Sequence, residues 1–229
     1  MSIKRVAVEI SAGAEWRVVR ARYAGLEVQQ SPFGEWLRLE QEGRELIFVQ
    51  GGWGKIAAAA ATQYILMHWS PDVLVNLGTC GGLAGHVARG EVLLVERTVV
   101  YDIIEQMGDP QAALAHYSTD LDLSWLPQPY PHAVRRGLLV SADRDICPAD
   151  IPMLREQFGA VAADWESGAI AWVASRSQVR CLILRGVSDL VGAAGGEAYA
   201  DAQVFRDGAR QVMEQLLAAL PAWLKLIEG

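Results

Sequence analysis

The chain has 229 residues, of which 52% are hydrophobic and 21% charged, with a net charge of −7 and a pI of about 5.1. That composition describes a globular protein with a sizeable core, long enough for one large or two small domains. The acidic balance excludes the broad basic face that nucleic acid or an anionic membrane requires, while leaving room for a small anion held at one local site.

Ile3 to Ile10 reads as a first strand. The small residues Ser11-Ala12-Gly13-Ala14 then make a turn, and a helix opens with Glu15-Trp16-Arg17. Trp36 to Glu40 and Glu45 to Gln50 read as a hairpin across Gln41-Glu42-Gly43-Arg44. Gly51-Gly52-Trp53-Gly54 precedes a long Ala-rich helix from Lys55 to about Trp69. The glycine run is no phosphate loop: no Gly stands five residues before Gly54, and Ile56 occupies the place of the Ser or Thr that would meet magnesium.

Val73 to Leu77 is an apolar run of central-strand type. It empties into Gly78-Thr79-Cys80-Gly81-Gly82-Leu83, where the glycines predict that the backbone turns sharply or approaches something closely. The spacing is not GxGxxG, so a dinucleotide fold has no support. A strand follows from Val92 to about Tyr101. Residues 106–133, rich in Asp, Pro, Gln, Ser and aromatic side chains, read as a long excursion within the domain, serving as a lid, a partner-binding loop or a plain surface loop.

Arg136 to Asp143 is a strand with a turn, and Ile151 to Phe158 a short helix. Gly159 to Ala163 is an apolar strand leading into the helix of Ala163-Asp164-Trp165-Glu166-Ser167-Gly168-Ala169-Ile170-Ala171-Trp172-Val173-Ala174, with Glu166 just inside its start. Val179 to Leu184 is the last strong strand and exits into Arg185-Gly186-Val187-Ser188-Asp189. A flexible passage, Gly192 to Gly196, leads to an amphipathic helix from Asp201 to Leu220, which Pro221 is expected to break.

Alternating buried strands and helices predict an α/β fold: a single domain over residues 1–229 with a central mixed β-sheet flanked by helices. Glu15, Glu166 and Asp189 each fall at a strand exit. An acid at a helix start is more often only a cap. Parallel strands, however, would bring all three to one edge, where open α/β sheets bind ligands. The three cysteines, Cys80, Cys147 and Cys181, lie far apart with no CxxC, as expected of reduced thiols in a cytoplasmic protein. Met1 to Ile10 has no apolar leader, no run of about 18 apolar residues offers a membrane span, and the four histidines show no metal-ligand spacing.

Four segments taken together carry a resemblance: Asn76 to Leu83, Arg136 to Asp143, Asp164 to Ala171 and Arg185 to Asp189. Their order and spacing resemble the purine nucleoside phosphorylase/nucleosidase superfamily, and most of all its 5′-methylthioadenosine/S-adenosylhomocysteine nucleosidases. The resemblance implies hydrolysis of the N-glycosidic bond of a purine nucleoside, without cofactor or metal, by a homodimer. It implies Asp189 as the acid that protonates the base, supported by Ser188. Glu166 would anchor the ribose hydroxyls, and Glu15 would orient the attacking water. Thr79 and Gly81 would line the ribose side and Trp165 would lie under the sugar. Asp145 and Ile146 would stand at the base, and Trp53 and Tyr199 near the 5′ substituent.

There are departures. Asp145 stands where those nucleosidases carry an aromatic residue stacked on the base, which leaves adenine, a 6-oxopurine and a futalosine-type base open. A phosphate-dependent phosphorylase is the main rival reading. Asn76 replaces its strand Arg and the early Gly-Asp-Pro Arg is missing, so phosphate would lack cations and water is the expected nucleophile. Arg144 and Arg185 remain candidate phosphate ligands. A nucleoside-binding protein without turnover would lack one of the three acids.

Overall fold

The computed structural model describes residues 3–227; Met1, Ser2, Glu228 and Gly229, and with them the expected domain ends at 1 and 229, lie outside the described residues. In chain order the elements are β1 (Arg5–Ile10), α1 (Gly13–Arg22), β2 (Gln29–Ser31), β3 (Gly34–Gln41), β4 (Arg44–Gln50), α2 (Lys55–Trp69), β5 (Val73–Leu83), β6 (Val92–Val100), α3 (Pro110–His116), β7 (Ser118–Asp120), β8 (Arg135–Ser141), α4 (Ile151–Phe158), β9 (Ala162–Asp164), α5 (Ser167–Arg176), β10 (Arg180–Gly192), β11 (Gly195–Gly196) and α6 (Ala202–Leu226).

The expected mixed sheet is present. β4, β1, β5 and β10 run parallel in that order, and β2 and β3 extend the edge antiparallel beyond β4. β10 also pairs β6, which pairs β8, then β9, then β5 again, so these strands close a ring. Successive strand residues point to opposite faces, and both faces are apolar. On one side Val6, Val8, Ile10, Val75 and Leu77 pack against Trp16 and Val19 of α1 and Val212, Met213 and Leu216 of α6. On the other, Ala7, Ile47, Leu74 and Ile183 pack against Ala58 and Ile65 of α2 and Ile170 and Val173 of α5. Helices therefore flank both faces of one α/β domain.

Several boundaries differ from the sequence reading. β5 runs straight through Gly78, Gly81 and Gly82 instead of turning there. Those glycines serve close packing inside the strand: a Cβ at Gly78 would stand 2.0 Å from Arg185 Nη1, and one at Gly82 would stand 2.6 Å from Val87 Cγ2. β10 likewise continues past Asp189, with a break in register between Val187 and Asp189. The acid therefore sits inside a strand at an irregularity that re-aims its side chain, not at the strand's end. Gly192 to Gly196 forms a tight hairpin into β11.

The 106–133 excursion is stitched to the sheet. Asp109 caps α3 by accepting from the Gln111 amide at 2.9 Å, and β7 pairs β6. α6 passes through Pro221 to Leu226. A proline inside a helix costs about 3 kcal/mol. Here the apolar stripe continues beyond it: Trp223 and Leu224 are buried, Trp223 stacks on Tyr130 with ring centroids 5.5 Å apart, and Arg44 Nη1 donates to the Leu224 carbonyl at 2.6 Å. Tertiary packing overrides the local breaker.

Candidate active site

A cavity of about 550 Å³ opens at the ends of the parallel strands. The β1–α1 turn supplies Glu15, β5 supplies Thr79 and Gly81, and the loop after β8 supplies Arg144, Asp145 and Ile146. Trp165 and Glu166 come from between β9 and α5, Ser188 and Asp189 from β10, Trp53 from ahead of α2, and Tyr199 from ahead of α6. All eleven site residues expected from the sequence line this one space.

Glu15 is buried in the first turn of α1, where a carboxylate is favoured by the helix dipole. Its Oε2 accepts from the Ala12 amide at 3.1 Å; its Oε1 accepts from the Thr79 amide at 2.6 Å and the Thr79 hydroxyl at 2.7 Å. Helix start and strand are thus tied together through one carboxylate.

Glu166 occupies the cap position of α5, yet its side chain makes no capping bond. Other residues cap this helix. Asp164 accepts from the Ser167 amide at 3.1 Å, and Ser141 Oγ accepts from the Gly168 amide at 2.9 Å while donating to Asp164 at 2.5 Å. Glu166 is therefore released from its local task, and its Oε1 accepts instead from the Gly54 amide at 3.1 Å. Burial, with the negative charge of Asp164 next to it, pushes its carboxyl up to about 8.

Asp189 accepts from Ser188 Oγ at 2.6 Å. Burial raises its carboxyl above the ordinary range; Ser188 opposes the shift and the charges of Glu197 and Asp145 add to it. Trp53 and Trp165 stack with centroids 4.8 Å apart and planes 28° apart, and Trp53 is 69% exposed at the mouth. Tyr199 donates its hydroxyl to the Ile146 carbonyl at 2.9 Å. Burial raises the ionisation of that hydroxyl, as do the charges of Asp145 and Asp189, so its tip lies near both acids. Gly81 lets Ile146 approach: a Cβ there would stand 3.1 Å from Ile146 Cδ1.

Behind the cavity lies a network that the sequence reading did not assemble. Arg185 is fully buried. Its Nη2 pairs with Asp164 at 3.1 Å and donates to Asn76 Oδ1 at 2.8 Å; its Nε donates to Ser167 Oγ at 2.9 Å and its Nη1 to the Thr79 carbonyl at 3.3 Å. Each of these residues lay within a segment singled out above. Only the closing of β5 against β10 brings them together. Arg185 is thereby committed to the interior, and Arg144, at the cavity rim, pairs with Asp150.

The arrangement can hold a polar ring system between two buried acids and deliver a proton from a third. Residues 9–221 match the family model of the phosphorylase superfamily, and the chain belongs to that family. Within it, the chain is similar to the 5′-methylthioadenosine/S-adenosylhomocysteine nucleosidase of Actinobacillus succinogenes, 30% identical over 79% of this chain and 83% of that protein. The nucleosidase of the same name from Tolumonas auensis is 28% identical over 78% of this chain and 83% of its own length. Among solved structures, an S-adenosylhomocysteine nucleosidase from Streptococcus pyogenes in complex with 5-methylthiotubericidin superposes with a TM-score of 0.78 at 20% identity, covering 98% of each chain. A nucleosidase from Helicobacter pylori superposes with a TM-score of 0.79 at 16% identity, covering 96% of this chain and 98% of that one.

Proposed function

We propose that this protein is a purine nucleosidase, hydrolysing the N-glycosidic bond of a nucleoside of the 5′-methylthioadenosine/S-adenosylhomocysteine type to release the base and a ribose derivative. The observation that carries the reading is the convergence of Glu15, Glu166 and Asp189 on one cavity, each held by a different element. Asp189, raised by burial and oriented by Ser188, is the general acid that donates a proton to the departing base. Glu166, held in place by the Gly54 amide, anchors the ribose hydroxyls as the sugar gains oxocarbenium character. Glu15, fixed by Thr79, orients the attacking water. Trp165 and Trp53 form the sugar and 5′ wall.

Water is the nucleophile because, among the described residues, the cavity has no cation to spare. Arg185 has its donors on Asp164, Asn76, Ser167 and Thr79, and Arg144 has its own carboxylate. Base release is therefore expected at the same rate with and without phosphate, with free ribose derivative as product. Appearance of the ribose-1-phosphate derivative, with turnover that depends on phosphate, would establish the phosphorylase reading instead. The Asp145 carboxylate, where the nucleosidase branch has a stacking aromatic, favours a base that presents N–H donors along that edge. A panel of adenine, 6-oxopurine and futalosine-type nucleosides assayed for base release decides among them.

The protein works as a cytoplasmic homodimer in this reading. Its three cysteines are free, and no helix among the described residues is long and apolar enough to cross a membrane. Ile56 and Met67 lie three turns apart on one face of α2 and are 86% and 75% exposed, and Ile56 follows three residues after Trp53 at the cavity mouth. Such a stripe beside a site is the surface a second subunit covers. Sedimentation is expected to show a dimer at micromolar concentration; a monomer there would refute the assembly.

A further inference from the structure

Glu9, on β1, takes no part in the chemistry above. Its carboxyl is wholly buried, and Oε1 has no hydrogen-bond partner. Oε2 lies 2.9 Å from Thr62 Oγ1 on α2. The same hydroxyl lies 2.7 Å from the Ala58 carbonyl, one turn back in its helix. A threonine hydroxyl has one proton, and a carbonyl can only accept. Take that proton on the shorter contact, the back-bond that a helical threonine makes to the carbonyl one turn earlier. Thr62 Oγ1 and Glu9 Oε2 are then two oxygens at hydrogen-bond distance with no hydrogen between them, unless the carboxyl brings its own.

The surroundings agree with a neutral head. The ionisable groups that feel Glu9 are Arg185 and Cys181 on β10 and Glu166 at the start of α5. None is a hydrogen-bonded counter-ion of its carboxyl. Arg185 reaches it only through Asn76, which accepts from Arg185 at 2.8 Å and donates to the main-chain carbonyl of Glu9 at 3.0 Å. On its other side the carboxyl packs on Gly51, where a Cβ would stand 2.5 Å from Oε1. Gly51 opens the 51–54 turn, whose last amide holds Glu166.

We propose that Glu9 is a positioning residue held as a neutral acid: it donates its proton to Thr62 Oγ1 and supports the 51–54 turn, and its ionisation places an unpaired anion under that turn beside Glu166, setting the alkaline limit of the site. The proposal rests on the reading of Glu166 as ribose anchor. Burial pushes the Glu9 carboxyl up to about 8 from an ordinary 4.5. The folded chain therefore holds a proton that the unfolded chain has released. The associated stability is full below about 4.5 and is lost as pH rises to about 8.

Carboxyl ¹³C NMR of the full chain labelled at glutamate δ-carbons tests this without any need for turnover. The resonance abolished by Glu9→Gln is expected to titrate with a midpoint near 8; titration in the ordinary carboxylate range overturns the proposal. If Glu9→Gln does not fold, the Glu166→Gln chain carries the measurement, because one high-titrating glutamate must remain in it. Glutamine can donate to Thr62 in place of the acid. At pH 7 Glu9→Gln should therefore keep kcat/KM within about threefold of wild type. It should also lose less Tm between pH 5 and 8 and move the alkaline fall in kcat/KM to higher pH. Glu9→Leu, which has no donor, should raise KM. An alkaline limb identical in wild type and Glu9→Gln assigns that limb to the other raised acids, Glu166 and Asp189, and overturns the positioning role. Absence of nucleosidase activity in every chain, with the NMR midpoint near 8, would instead defeat the proposed function and leave the neutral acid standing.

Discussion

Asp189→Asn is expected to lower kcat for base release by about 10²–10⁴-fold, the usual worth of general acid catalysis. Asparagine keeps the shape and can still meet Ser188 Oγ, so KM should change little and the fold not at all. The loss belongs in kcat because the proton is needed only as the glycosidic bond breaks. Burial raises the Asp189 carboxyl, so the wild-type rate should fall on the alkaline side as that proton is lost. In Asp189→Asn the part of that dependence due to Asp189 should vanish together with most of the rate, leaving the alkaline limb that Glu9 and Glu166 set. Stopped or continuous assays of base release across pH read both effects. Full activity in Asp189→Asn would remove the mechanism while leaving the fold untouched.

Arg185→Met is expected to destabilise the chain by about 3–5 kcal/mol, the cost of leaving one partner of a buried ion pair alone. Asp164 would keep its charge with less than 3% of its side chain exposed, and Asn76 and Ser167 would lose their donor. Asp164→Leu combined with Arg185→Met removes the stranded charge and should recover part of the loss. Urea unfolding of the two single variants and the double variant measures the coupling. Additive effects would show that the pair is not the organising contact. Activity should fall as well, because Asp164 caps the helix that presents Glu166 and Arg185 bonds the Thr79 carbonyl beside Glu15.

How far the sequence could be read depended on the range of the interactions. Periodicity and apolar runs placed the helix Lys55–Trp69, the helix Ile151–Phe158 and the hairpin around Gln41–Arg44 where they occur, since each is decided by near neighbours. The glycines of β5 announced a sharp turn or a close approach, and the sequence could not say which, because the reason is distant: Gly78 makes room for Arg185, far along the chain. Pro221 misled because Trp223 and Leu224 pay the local cost through packing that no window of sequence displays. At the site, the acids were legible as residues at element junctions. That Glu166 is more than a cap could not be read from its own segment, because the residues that cap the helix in its place are Asp164 and, from another strand, Ser141. Glu9 gave no signal at all. An acid in a buried strand looks from sequence like any alternating polar residue.

The closed ring of strands also constrains the order in which a ribosome can deliver a working molecule. Val73 of β5 pairs with Arg180 of β10, and β6 must wait for the same β10. Everything up to α5 can emerge, collapse and pair locally while the ring gapes. Such distant pairing is slow to find, and its unpaired edges are exposed in the meantime. The segment that closes the ring is also the one that carries Asp189, so nascent chains stalled short of it hold two of the three acids and no shaped cavity. The vulnerable interval in this protein's life is therefore the synthesis of its last fifty residues or so, before β10 closes the ring.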